Sequence, residues 1–205
     1  MIAFLTAGGP VMIPIGLCSL IAMATFLERW WALREHSVVP ADARREVLEV
    51  LRQGRPGDGL ALCKREQMPM ARVLEVAIEH RDRPRVELRE KLEEVGRREA
   101  ANLERYLPIL GTIASIAPLL GLLGTVGGMI LTFDVIEHQG LGDVGALAGG
   151  ISQALITTFA GLCVGIPALV ANRYLLARVD RLVMSLEEVT TEAIELLMSD
   201  SEEAR

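Results

Sequence analysis

The chain has 205 residues and a formal net charge of −6; half of its residues are hydrophobic and 23% are charged. That modest acidity, with no basic patch interleaved with aromatics, excludes a nucleic-acid binder. Cys18, Cys63 and Cys163 are far apart and read as small buried hydrophobes, while His36, His80 and His138 lack ligand spacing, so no metal or cofactor is expected.

The apolar and charged residues are segregated along the chain, which points to membrane spans joined to water-exposed helices. The first apolar stretch, Ile2–Leu27, is broken by Gly8-Gly9-Pro10 and Pro14 and ends on Glu28-Arg29-Trp30-Trp31, an interface collar. With no basic leader and no small-x-small cleavage site, it reads as a retained first span over residues 1–30.

Residues 31–106 follow as a helical, water-exposed segment. Pro40 and Asp42 open a helix carrying Val47, Leu48 and Leu51, which Gly54 closes. Gly54–Gly59 has turn composition, and short helices are predicted over Leu60–Glu66 and Met70–His80. Pro84 suits the first turn of the next helix, along which Leu88, Leu92, Val95 and Leu103 recur toward Tyr106.

Two charge-free stretches come next, Leu107–Phe133 and Val144–Asn172. At ~1.5 Å rise per residue each makes ~40 Å of helix, enough for a ~30 Å hydrocarbon core. The second span is therefore 107–133, the short loop 134–143 and the third span 144–172. The tail, 173–205, carries a heptad-like stripe of Val179, Leu182, Leu186, Val189, Ala193 and Leu196.

Charge sets the expected orientation. No Lys or Arg precedes the first span, whereas 17 lie between Glu28 and Tyr106, and Arg173, Arg178 and Arg181 open the tail. The 134–143 loop holds only the acids Asp134, Glu137 and Asp143. By the positive-inside rule the N-terminus and this loop face outward, and the 31–106 segment and the tail are cytoplasmic. The fold class expected is thus an all-α integral membrane protein: three transmembrane helices, N-out and C-in, with long cytoplasmic helical extensions.

The inner spans are not plain anchors. Gly121, Gly124 and Gly128 form a stripe without side-chain bulk, Pro118 frees a carbonyl one turn earlier, and Thr125 sits inside the stripe. On the third span Ala154, Thr158, Gly161 and Gly165 share one face, and Gln153 and Thr157 another. Thr157 and Thr158 therefore cannot both point into one narrow path. Gln153 either stitches neighbouring helices by hydrogen bonds or lines a polar path, since a buried amide needs several partners. Polar groups at membrane depth face protein or a water-filled route, which suggests an assembled conduit.

Several segments resemble the MotA/TolQ/ExbB proton-channel family, most closely its ExbB/TolQ branch. They are Gly9-Pro10 with Glu28-Arg29 around the first span, APLLGLLGTV at Ala117–Val126, and GGISQALITTFAGL with IPA at Gly149–Ala168. The resemblance implies a homopentamer in the inner membrane of a diderm bacterium, its second and third spans around a central pore. It further implies a single-span ExbD/TolR-like partner with a protonatable Asp, and a TonB/TolA-like protein that receives the work. The family's pore threonines fall on Thr125 and Thr158, while its frequent third-span Glu falls on Gln153, a departure that removes a titratable group. Pro118, Gly121, Gly124, Gly128, Gly161 and Gly165 would pack the pore wall.

Two other readings remain open here: a stator for gliding or flagellar-type motility, and a non-conducting scaffold in membrane lipid. An enzyme is not expected, because no Ser/His/Asp, metal or nucleotide-binding constellation is present.

Overall fold

The computed structural model describes residues 8–66, 68–139 and 144–203, and every described element is helical. In chain order they are α1 (Met12–Ala32), α2 (Glu35–Val38), α3 (Ala41–Arg52), α4 (Pro56–Arg65), α5 (Pro69–Glu79), α6 (Arg85–Glu104), α7 (Leu107–Gln139) and α8 (Val144–Glu203). Three of them, α1, α7 and α8, are long and apolar enough to cross a membrane. The chain divides into two compact units, Met1–Arg29 with Tyr106–Tyr174, and Trp30–Arg105 with Leu175–Arg205.

The first unit is built from α1, α7 and the first half of α8. Ile113, Ala117 and Ala168 are buried together, with Cys18 and Ala22 of α1 and Val164 of α8 packed against them. Small side chains dominate because lipid gives helices no hydrophobic reason to associate, so close packing must supply the attraction. Large apolar side chains point away: Leu119, Leu122, Ile130, Leu155, Phe159 and Ile166 are all well exposed in the chain. The segment after Phe133 differs from expectation in one respect. Helix α7 runs through Asp134 and Glu137 to Gln139, within the expected 134–143 loop; residues 140–143, Asp143 among them, lie outside the described residues. His138 Nδ1 lies 3.0 Å from the Asp134 carbonyl, a contact that fits continued helix. The first-span residues Ile2–Ala7 also lie outside the described residues.

The second unit buries Val47, Leu48 and Leu51 of α3, Met70, Leu74 and Ile78 of α5, and Leu88 and Leu92 of α6. Gly54, with φ of 66°, ends α3: its N–H donates to the Leu51 carbonyl at 3.0 Å and that of Arg55 to Val50 at 3.2 Å. That pair of bonds satisfies the carbonyls a helix end leaves open, and glycine adopts the left-handed conformation without strain. The expected turn over Gly54–Gly59 is shorter than its composition suggests. Pro56 starts α4 at its first position, where a missing N–H costs nothing. Gly59 then sits inside the helix, where a Cβ would lie 3.1 Å from Leu51 Cδ2.

On the distal half of α8, Leu175, Val179, Leu182, Leu186, Val189 and Ala193 are buried. The stripe then continues to Leu197 rather than to Leu196, as a 3.6-residue helix drifts from a strict heptad. Ion pairs add to this packing: Glu192 accepts from Arg44 at 3.2 Å and Arg52 at 2.9 Å, and Arg72 grips the nearly buried Glu99 through two nitrogens, at 2.9 and 2.5 Å. Arg178 Nε donates to the Leu33 carbonyl at 2.5 Å, just beyond the end of α1.

Candidate functional site

Helices α7 and α8 lie antiparallel and nearly backbone to backbone. A Cβ built on Gly121 would come within 2.9 Å of the Thr157 carbonyl and 3.0 Å of Thr158 Cα. One on Gly128 would come within 3.0 Å of both the Ala154 Cβ and the Gly150 carbonyl. From the other side, a Cβ built on Gly161 would lie 2.5 Å from the Ala117 carbonyl oxygen, and one on Gly165 2.6 Å from Pro118 Cγ. Pro118 has no N–H, so the Ala114 carbonyl lacks its usual helical donor. That carbonyl oxygen would lie 3.2 Å from the Cβ built on Gly165. Each glycine at this seam is a place where any side chain would separate the helices.

The close approach brings Thr125 and Thr158 together. Their hydroxyls are within hydrogen-bonding distance of each other. Thr125 Oγ1 is 3.2 Å from the Gly121 carbonyl of its own helix and 3.2 Å from the Ala154 carbonyl of α8. Thr158 Oγ1 is 3.2 Å from the Gly121 carbonyl of α7. The two hydroxyls are thus cross-bonded between the helices. Both residues are only partly buried, so one edge of the pair stays accessible in the chain.

Thr157 has a different setting. It is fully buried, its hydroxyl donating back to Ala154 at 2.9 Å and Gln153 at 3.2 Å, and its side chain fills the space opposite Gly124. Adjacent threonines on one helix therefore divide, one into packing and the other onto the open edge. Gln153 is not brought to the Thr125–Thr158 pair; its carboxamide lies against Gly9 instead.

One further seam residue escaped the sequence reading. Thr132 is buried, bonds back to Gly128 at 2.9 Å, and occupies the space a side chain at Gly150 would need. It stands seven residues after Thr125, two turns along the same face, and that spacing is the signal that marks it.

No Asp, Glu, Lys or Arg occurs in Leu107–Phe133 or Val144–Asn172, so this chain places no titratable carboxylate at the seam. Its chemistry there is that of hydroxyls and carbonyls: binding, orienting and handing on hydrogen bonds. Among ionisable groups outside the spans, Lys64 and Glu79 are paired at 2.9 Å, which raises the lysine and lowers the glutamate from their ordinary values. Burial pushes the Cys63 thiol up to about 11.

Charge-free stretches within long apolar helices, glycine seams and internally bonded hydroxyls define a multi-pass membrane protein, all-helical among the described residues, whose spans pack closely. The profile of the MotA/TolQ/ExbB proton channel family matches residues 65–188. The ExbB-like 3 protein of Synechocystis is 34% identical over 170 residues, covering 80% of this chain and 79% of its own. The ExbB homolog of Methanothermobacter thermautotrophicus is 32% identical over 182 residues, 88% of this chain and 64% of its own. TolQ of Haemophilus influenzae is 37% identical over 98 residues, covering 46% and 43%. The chain belongs to the MotA/TolQ/ExbB proton channel family, in its ExbB/TolQ branch.

Proposed function

We propose that this chain is the wall subunit of a proton-driven motor in the inner membrane of a diderm bacterium. Five copies, each N-out and C-in, surround a pore with α7 and α8. The segment between α1 and α7 and the tail after Tyr174 are cytoplasmic. An ExbD/TolR-like partner contributes a single span with a protonatable Asp, and a TonB/TolA-like protein receives the work. The threonine-paired seam carries this reading.

The chemistry of the pair suits a partner acid. Each hydroxyl has one hydrogen and two lone pairs. With each hydrogen directed to the Gly121 or Ala154 carbonyl, or one of the two to the other hydroxyl, the pair offers mainly lone pairs to a visitor. Lone pairs accept from a protonated carboxyl or from water and give nothing to a bare carboxylate. The wall thereby favours the neutral acid at this depth, and a hydroxyl must rotate to greet the charged form. Movement of one charge through 100 mV releases about 2.3 kcal/mol, enough to drive rearrangement of hydrogen bonds worth about 1 kcal/mol each.

Substitution at adjacent positions provides the test, read as proton-driven work with the partner co-expressed. Thr158→Val abolishes function and Thr158→Ser retains it, whereas Thr157→Val, which removes a hydroxyl bonded only within its own helix, keeps function. Equal tolerance at 157 and 158 would remove the case for a threonine-lined route.

A further inference from the structure

The Gly8–Gly9 dipeptide sits where two α8 side chains, one turn apart, meet the start of α1. Gly9 has φ of +69°, and its carbonyl accepts from the Met12 N–H at 3.2 Å, which begins α1. A Cβ built on Gly9 would overlap the carboxamide nitrogen of Gln153 and lie 3.1 Å from its Cδ and 3.8 Å from its Cγ. The whole end of the glutamine side chain therefore rests on the face of this glycine. A Cβ on Gly8 would lie 3.3 Å from Thr157 Cγ2. The Thr157 hydroxyl is turned back onto its own helix, so methyl rather than hydroxyl meets the turn. Gly9 is thus constrained twice, by its left-handed backbone and by the side chain pressed against it.

We propose that Gln153 is a positioning residue, the seat that fixes the Gly8–Gly9–Pro10 turn, and with it the start of α1, onto α8. A carboxamide at membrane depth is costly unless it is partnered by protein, and its nitrogen lies against the Gly9 face of the turn. Gln153 and Thr157 share one stripe of α8 and Thr158 lies about 100° around the helix from Thr157, so the seat and the hydroxyl pair occupy different faces. The seat closes the seam on the side of α1 and leaves Thr125–Thr158 as the open edge. Only that last consequence rests on the conducting role proposed above; the seating stands apart from it.

The test uses the intact chain in lipid nanodiscs. Gly9→Ala lowers the melting temperature by about 3–10 °C, from overpacking of about 1–3 kcal/mol. In a Gln153→Ala background the same change costs visibly less, because the shortened side chain leaves room for the new methyl. Paired with Thr158→Ala, its cost is unchanged. Gln153→Ala alone raises amide exchange over residues 8–16 severalfold and leaves residues 119–128 as they were. Strict additivity of Gly9→Ala and Gln153→Ala, or unaltered exchange over 8–16, overturns the seat. So does a tenfold loss of proton uptake in Gln153→Met with 8–16 exchange unaltered, which would put the amide on the proton route. Wild-type protein that takes up no protons with its partner, yet shows the coupling, would instead sink the conducting role and spare the seat.

Discussion

Glycines three residues apart on α7 have opposite surroundings. A Cβ at Gly124 would fall on Thr157, overlapping its hydroxyl and lying 2.5 Å from its Cβ, whereas one at Gly127 meets nothing within 4 Å. Gly124→Ala should therefore lower the melting temperature by about 3–10 °C, since overpacking costs about 1–3 kcal/mol. Gly127→Ala should hold it steady or raise it slightly, because alanine favours helix by up to about 1 kcal/mol. Thermal scanning of the two variants in one detergent decides, and matching losses would mean that the α7–α8 seam is not the tight contact described. The sequence shows the small-residue stripe but not which glycines are in contact. Gly127 breaks the stripe by one position, and only the neighbour's placement reveals that its face is empty.

Among the elements, α4 and α5 owe part of their pairing to Lys64 and Glu79, both well exposed. The glutamate is held below its ordinary value of 4.5 by the ammonium that hydrogen-bonds it, so its contribution is present above that pH and fades as acid protonates it. The lysine is raised from 10.5, so its share is present below that pH and fades as base removes its proton. Glu79→Gln should thus flatten the acid limb of the unfolding curve near pH 4 at low salt and change little in high salt, where exposed pairs are screened. A wild-type acid limb that this substitution leaves in place would assign it to other carboxylates. Cys63 adds a second readout: with its thiol held neutral up to about 11 and buried, it resists alkylation until the unit unfolds. Much of this unit was legible, since apolar spacing marks the buried faces of α3, α6 and α8. What was not legible depended on competing local rules. Pro56 outranked the glycines around it and started a helix, and a 3.6-residue pitch replaced Leu196 by Leu197 at the end of the stripe.

For the molecule as a whole, three apolar helices and two charge-free inner spans were readable from composition, because hydrocarbon tolerates so few sequences. The division of labour between Thr157 and Thr158 was readable in part: helical geometry separates the two, but only the partner glycines tell which one is packed away. The departure at Gln153 was visible as a missing charge, while its contact with Gly9 depends on a turn that brings distant residues together, beyond the reach of local periodicity. The same missing charge sets the last expectation. With no carboxylate in Leu107–Phe133 or Val144–Asn172, the proposed wall has hydroxyls to accept and pass hydrogen bonds but nothing to carry a proton across the ~30 Å core. Liposomes containing the purified chain alone should therefore show proton uptake at the level of empty liposomes under a potential of about 100 mV. Adding a single-span partner with a membrane-embedded Asp should raise uptake, and Asp→Asn in that partner should return it to background. Robust uptake by the chain alone would place the proton carrier within this subunit and refute a wall that depends on a foreign acid.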